Sequence, residues 1–398
     1  MAGVSWAGRP SVNDVSFFFA GGGTGGHIYP ALAVVEQILQ RQPEAGIHFF
    51  HSTRAVDERI LGATSFHRTP LPATGLSAHP VKFLRFLSTF WRSCRLAKKV
   101  IAGSPSPVVI GAGGFVAAPV CLAGHRLGIP VALLNVDLVP GRANKLSARW
   151  ADEIFVQFEE SEEYFGRSRA AINVVGCPLR SGFAHSQPAR AIQELGLDAD
   201  KKLLLVTGAS SGSTRINEAV CRLLSHLEEF AESWQIVHLT GLDNYDMVQE
   251  QYKGARIAHK VLSYYDQMPD LFAATDLAIG RSGAVSVAEY AAAGVPSICM
   301  PYPHHKDMHQ YRNAHKLVEV GAAIIVDDVA DVQDRTEWLW EELHTLMKDD
   351  QTRQEMSEAC HLVAKPNAAA DIAARLLELS RVKHETRMSK SETNPNVG

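Results

Sequence analysis

No run of eighteen apolar residues occurs anywhere in the 398-residue chain, so no segment is expected to cross a bilayer as a helix. The start of the chain lacks the long apolar core of a secretory leader: Asn13 and Asp14 precede only a short apolar stretch that reads as a strand. Cysteine is sparse, and Cys94, Cys121, Cys177, Cys221, Cys299 and Cys360 stand singly with no CxxC pair. That spacing excludes a disulfide framework and a thiolate metal centre, and fits reduced thiols in a cytoplasmic protein. Acidic residues are missing altogether between Arg59 and Val136, although the whole chain carries 43 of them. A net charge of −4 gives no reason to expect nucleic acid. The acid-free window, however, implies an anionic partner for the N-terminal half alone.

What is present is a soluble composition, 46% hydrophobic and 21% charged, with enough length for two cores. Short β-branched or aromatic runs alternate with stretches of helical period. The first series of expected strands is Val15–Phe19, Ile47–His51, Val108–Gly111, Val131–Asn135, Ile154–Gln157 and Ile172–Val175. The second is Leu203–Thr207, Trp234–Thr240, Arg256–Val261, Leu277–Gly280, Ser297–Met300 and Ala323–Val326. Such alternation predicts parallel sheets covered by helices, and the restart near residue 200 predicts two doubly wound α/β domains with a ligand crevice between them. The expected limits are 14–185 and 186–382, with polar, disordered tails at 1–13 and 383–398.

The most informative stretch is Gly21-Gly22-Gly23-Thr24-Gly25-Gly26-His27, set between an apolar strand and an amphipathic helix. Five glycines in six positions strip side chains from a strand-to-helix turn, so backbone N–H groups can approach an anion or a sugar. His27 adds a proton acceptor at the helix start. The pattern satisfies GxGxxG, but a dinucleotide site also wants an acid at the end of the second strand, and that strand ends Phe50-His51-Ser52. A nicotinamide enzyme is therefore disfavoured.

Two more glycine-rich turns follow strands in the second half, Gly208-Ala209-Ser210-Ser211-Gly212-Ser213 and Gly280-Arg281-Ser282-Gly283. Glu289 lies about two turns into the helix after the latter, where a carboxylate can accept both hydrogen bonds of a ribose diol. His305 and His309 have helical metal-chelating spacing, but no third ligand stands near, and no metal is expected. The acidic pair Asp198 and Asp200 precedes a strand at the domain junction and reads as a solvated turn.

Inside the acid-free window, Lys82, Phe83, Arg85, Phe86, Phe90 and Trp91 interleave aromatic and basic residues. The segment reads either as an amphipathic helix packed on its sheet or as a face that lies on anionic lipid.

In this order and at these distances, Gly22 to His27, Gly113-Gly114-Phe115-Val116, Arg281-Ser282-Gly283-Ala284 through Ala293-Gly294 and His305-Lys306-Asp307 through Asn313-Ala314 resemble the MurG family of peptidoglycan glycosyltransferases, over nearly the whole chain. The resemblance implies the GT-B fold: two Rossmann-like doubly wound parallel-sheet domains facing a central cleft, without metal or other cofactor. It implies inverting transfer of N-acetylglucosamine from UDP-GlcNAc to lipid I, an undecaprenyl-linked acceptor, with other cell-wall synthesis proteins as partners. It further implies a peripheral position on the cytoplasmic face of the inner membrane. The rivals are a GT-B enzyme for another lipid and a UDP-GlcNAc 2-epimerase.

By position, His27 would be the base, and Thr24, Gly25 and Gly26 would touch the donor. Asp137 and Gln310 would meet the sugar, Arg180 the nucleotide and Ser210 the pyrophosphate. Tyr265 would offer its backbone to uracil, while Ala284, Val285, Ser286, Val287, Ala288 and Glu289 would hold phosphate and ribose. The chain departs from the family where a usual Glu becomes Asn135, an Asn becomes Asp137, a Tyr becomes Phe115 and a Gln becomes His309.

Overall fold

The computed structural model describes residues 15–75, 79–304 and 307–392, with side chains as far as Arg381. The expected tail at 1–13 and His305 lie outside the described residues.

The chain divides into two compact units, the first 1–135, 140–178 and 369–398, the second 136–139 and 179–368. Seven parallel strands form the first sheet: β1 (Ser16–Ala20), β2 (Gly46–His51), β3 (His67–Pro70), β4 (Pro107–Gly111), β5 (Val131–Asn135), β6 (Glu153–Val156) and β7 (Ala171–Val174). Their order is β3-β2-β1-β4-β5-β6-β7. In the second unit β8 (Lys202–Thr207), β9 (Trp234–Leu239), β10 (Ala258–Leu262), β11 (Leu277–Gly280), β12 (Ser297–Cys299) and β13 (Ala323–Ile325) repeat the pattern as β10-β9-β8-β11-β12-β13. Each of the twelve expected strands is present. The thirteenth, β3, has the sequence His-Arg-Thr-Pro and lies largely exposed on the sheet edge, so hydrophobicity gives no signal for it.

Strand residues alternate between two cores in each unit, as a sheet covered on both faces requires. Phe17, Phe19, Val108 and Ile110 pack with Ile28, Val34 and Ile38 of the Gly25–Arg41 helix. Phe18, Ala20 and Val109 face the opposite way, against Val120 and Cys121 of the Ala117–Arg126 helix. In the second unit Leu204 and Val206 pack with Ile216 and Val220, whereas Leu203 and Leu205 pack with Val287, Tyr290 and Ala291. Right-handed crossovers from β1 and β4, or from β8 and β11, thus run to opposite faces, and the loops after these neighbouring strands part to leave a switch point.

The second unit begins at Leu179, ahead of the expected limit at 185, because Phe183 already packs in its core. A larger correction concerns the C-terminus. The Ala368–Glu392 helix runs through ten residues expected to be a disordered tail. Its Ile372, Ala373, Leu376 and Leu377 join the core of the first unit, not the second. Burying each of those larger aliphatic side chains contributes roughly 1.5–3 kcal/mol. Arg375 adds an ion pair to Glu153 at 2.8 Å.

Candidate active site

In the first unit β1 turns through Gly21–Thr24 into the Gly25–Arg41 helix, at the switch point beside the loop after β4. Gly23 adopts the left-handed region at φ +95°, and a Cβ on Gly22 would lie 2.2 Å from Asp57 Oδ2. Asp57, fully buried in the Ala55–Gly62 helix, accepts the Gly23 N–H on both oxygens at 2.8 and 2.9 Å. It also accepts the Ser52 N–H at 3.0 Å and the Ser52 hydroxyl at 2.5 Å. Arg54 Nη1 donates to the Gly23 carbonyl at 3.0 Å. The end of the second strand, Phe50-His51-Ser52, carries no carboxylate. One does stand five residues on, but its oxygens are taken by the turn itself. An internal anion thus occupies the cradle in which a dinucleotide loop would receive pyrophosphate, and a second anion at Gly23 would be repelled.

His27, half-buried in the first turn of the helix, has its Nδ1 3.0 Å from the Gly22 carbonyl oxygen and 3.5 Å from Thr24 Oγ1. A carbonyl only accepts, so Nδ1 carries the hydrogen, and in the neutral ring Nε2 carries the lone pair. Among the described residues Nε2 has no hydrogen-bond partner. Glycines keep it open: a Cβ on Gly113 (φ +105°) would lie 2.8 Å from His27 Nε2. One on Gly114 (φ +75°) would lie 2.3 Å from the Gly22 oxygen. Thr24 is exposed, and Gly25 and Gly26 supply first-turn amides of the helix.

In the second unit the loops after β8 and β11 meet at the other switch point. Gly208, Gly212 and Gly241 allow backbone to touch backbone: a Cβ on Gly212 would lie 2.2 Å from the Thr240 carbonyl oxygen. Ser210 sits half-buried in this turn. Ser213 caps the Thr214–Arg222 helix and accepts from Arg281 Nη2 at 2.7 Å. Arg281 also donates to the Met300 carbonyl at 2.8 Å and pairs with the fully buried Asp328 at 2.8 Å. Arg215 at 3.4 Å and Arg335 at 3.7 Å complete the surroundings of Asp328. Burial pushes the Arg281 guanidinium below its usual range, and Asp328 opposes this. Removing Asp328 from such a cluster costs about 3–5 kcal/mol. Arg281 is therefore a fastener between the two loops, a role its motif position did not reveal.

The helix Ala284–Ala293 starts at Gly283, which has no side chain to cap the first-turn amides of Ala284, Val285 and Ser286. Val287 and Tyr290 of the same helix face the core, leaving Ala288 and Glu289 half-buried. Among the described residues no hydrogen-bond partner meets the Glu289 carboxylate. Burial pushes it up to about 7, with Arg180 opposing. Arg180 donates to the Asp266 carbonyl at 3.2 Å. The Tyr265 hydroxyl donates to Glu194 at 2.9 Å, which leaves the backbone as what Tyr265 offers a ligand. Gln310 Oε1 accepts the Tyr302 N–H at 2.9 Å, and its own carbonyl accepts from Ser282 at 2.9 Å.

The departures from the family pattern divide between the units. Asn135 is buried in the first unit and accepts from Asn144 at 3.1 Å, so it is a structural amide. Asp137 belongs to the short stretch 136–139 that clusters with the second unit, where it accepts from Asn313 Nδ2 at 3.2 Å. Asn313 also accepts the Leu138 N–H at 3.1 Å. His309 binds Asp307 at 2.8 Å, and Phe115 is half exposed beside Gly75. The Asp200 N–H is bonded to Asp198 Oδ1 at 3.0 Å, as a solvated turn would have it. The described residues hold no group of three or more His, Cys, Asp or Glu placed to bind a metal ion.

The Pro80–Ile101 helix packs on its sheet through the buried Ser93, Cys94, Ala97 and Ile101 and the half-buried Phe90 and Val100. Its first two turns stand off the core, with Val81 69% and Leu84 66% exposed. Lys82, Phe83, Arg85 and Trp91 are exposed, while Phe86 and Phe90 are half-buried. Phe83, Phe86, Phe90 and Trp91 form a continuous row with ring centroids 6.4, 5.8 and 5.7 Å apart. No helix among the described residues is long and apolar enough to cross a membrane.

Two parallel Rossmann-like sheets in tandem, each with glycine-rich loops at its switch point, define the GT-B fold. The N-terminal domain of glycosyltransferase family 28 matches residues 17–156, and its C-terminal domain matches residues 203–376. The chain belongs to that family. It is 35% identical to the UDP-N-acetylglucosamine–N-acetylmuramyl-(pentapeptide) pyrophosphoryl-undecaprenol N-acetylglucosamine transferase of Leuconostoc citreum, over 90% of this chain and 97% of that one. It is 31% identical to the Bacillus subtilis protein of the same name, over 91% and 99%. The crystal structure of Acinetobacter baumannii MurG superposes with a TM-score of 0.69 at 25% identity, covering 92% of this chain and 99% of that one. A UDP-GlcNAc 2-epimerase from Neisseria meningitidis shares the fold, with a TM-score of 0.65, at only 14% identity over 92% of this chain and all of that one.

Substituting Gly113→Ala is expected to place a methyl group against Nε2 in a strained backbone. Turnover should fall on the order of 100-fold in a transferase assay, while affinity for UDP, measured by calorimetry, stays at the wild-type value.

Proposed function

We propose that the chain transfers N-acetylglucosamine from UDP-GlcNAc to the C4 hydroxyl of the N-acetylmuramoyl-pentapeptide of lipid I, with inversion, yielding lipid II. The observation that carries this reading is His27, whose Nδ1–H is committed to Gly22 while Nε2 stays open beside Gly113. Nε2 takes the hydroxyl proton as the acceptor oxygen forms its bond to C1 of the sugar. The C1–oxygen bond to the pyrophosphate breaks, and its electron pair leaves with UDP.

The leaving charge needs donors, and the second unit offers them in the Ser210 turn, in Arg180 and in the positive end of the helix that begins after Gly283. Glu289 accepts the ribose diol and the Tyr265 backbone meets uracil. With its oxygen held by Tyr302, Gln310 has its amide N–H groups to give to sugar hydroxyls. Asp137 faces the sugar as an acceptor, and Thr24, Gly25 and Gly26 approach the donor from the first unit. The exposed Lys82–Trp91 row supports a peripheral position on the cytoplasmic face of the inner membrane, since a lipid-linked acceptor must be reached at a bilayer surface. This row, and identity far above that to the epimerase, favour the transferase reading.

Three outcomes follow. His27→Gln should lose transfer by roughly 10²–10⁴-fold in an assay with UDP-GlcNAc and a lipid I analogue, with UDP affinity retained; full activity would remove His27 as base. A diol that prefers the ionised Glu289 must displace its proton, so UDP should bind about tenfold more weakly at pH 6 than at pH 8 beyond the dependence that Glu289→Gln retains. The protein should sediment with phosphatidylglycerol vesicles and lose this on Lys82→Glu with Arg85→Glu. Sedimentation insensitive to anionic lipid would count against the membrane face.

A further inference from the structure

We propose that Asp57 is a positioning residue for His27, acting through the glycine turn; this rests on the reading of His27 as the base. The relay is short and continuous. Asp57 holds the Gly23 N–H at 2.8 and 2.9 Å, which fixes the peptide between Gly22 and Gly23. That same peptide contributes the Gly22 carbonyl, whose oxygen lies 3.0 Å from His27 Nδ1. N–H and C=O of one planar peptide point in opposite directions, so anchoring the N–H on the Asp57 side aims the C=O towards the histidine. The carbonyl then selects the imidazole tautomer, and with it which nitrogen can accept a proton.

Several features show that the turn depends on this anchor. Thr24, at the helix start, makes no side-chain cap, so the loop has no local hydrogen bond of that kind to hold it. Gly23 adopts a backbone few residues take, and the carboxylate fills the space a Cβ on Gly22 would need. Asp57 is itself fixed by Ser52 through both N–H and hydroxyl, and has no exposure to solvent. A fully buried carboxylate with four hydrogen bonds to one turn and one strand end is costly to form unless its partners are preorganised. Here they are, and what they organise is the peptide beside His27.

The test uses the full chain with Asp57→Ala and Asp57→Asn, and reads three quantities. In ¹⁵N-histidine spectra, with the His27 signal assigned by its loss in His27→Gln, the wild type should show the Nδ1-protonated ring. Both variants should populate the Nε2-protonated form. kcat with UDP-GlcNAc and a lipid I analogue should fall on the order of 10–100-fold. The dissociation constant for UDP should stay within about twofold. An unchanged tautomer in both variants overturns the proposal, whatever happens to kcat, and so does a wild-type kcat with an altered tautomer. Should Asp57→Ala fail to fold, Asp57→Asn decides: it keeps the volume and one acceptor for Gly23 but opposes the Ser52 N–H with its own N–H group. Full turnover by His27→Gln would overturn the base reading alone, because the ring spectrum still reports whether Asp57 sets the tautomer.

Discussion

A parallel strand can send its following helix to one face of the sheet or the other, and where two neighbours choose opposite faces their loops must separate. Everything functional in this protein hangs on that constraint, met twice. Between β1 and β4 in the first unit, and between β8 and β11 in the second, the crossovers diverge and their loops part. The sequence places its glycines there: backbone must pass within contact distance of backbone, and at Gly114 and Gly212 no Cβ would fit.

The two switch points are built alike and then filled differently. In the first, a buried carboxylate enters the glycine turn and takes up its amide, so the loop is closed to phosphate and becomes a rigid mount for an imidazole. In the second, the buried carboxylate of Asp328 lies behind the loops and gathers arginines that tie Ser213 to Arg281, and the helix that follows takes no side-chain cap from Gly283. Moving the internal anion from within the loop to behind it is enough to turn one fold into two chemically distinct halves. The proposed function gives proton acceptance to one half and the stabilising of a departing diphosphate to the other.

Much of this was legible in the chain. Continuous apolar strands and a restarting series gave the two-sheet architecture, because a strand buried on both faces has no polar side to show. Strand β3 was not legible, since His-Arg-Thr-Pro owes its place to an edge hydrogen-bond ladder and not to burial. The terminal helix was assigned to the wrong core for a related reason. Its Ile372, Leu376 and Leu377 have the right spacing for a helix, but spacing says nothing about which sheet receives it. Of the candidate site residues, His27 and Glu289 stand out in the sequence by their place after strands and glycines, and Ser210 and Gln310 by the family resemblance, whereas Asp57 and Asp328 do not stand out. Each acts across a turn from a neighbouring element, and no local pattern marks a carboxylate whose partners are backbone amides or distant arginines.

The sequence by itself thus determined the class of fold, the positions of the glycine turns and the identity of the histidine, since each depends on local rules: burial period, backbone freedom and residue type. Only the tertiary structure decided which charges are internal and which are open to a ligand. That Asp57 belongs to the loop and Glu289 does not is settled by which groups come within hydrogen-bonding distance after folding. A carboxylate with both oxygens engaged by its own fold and one with no hydrogen-bond partner among the described residues are the same letter class in a chain, and opposite things in a site.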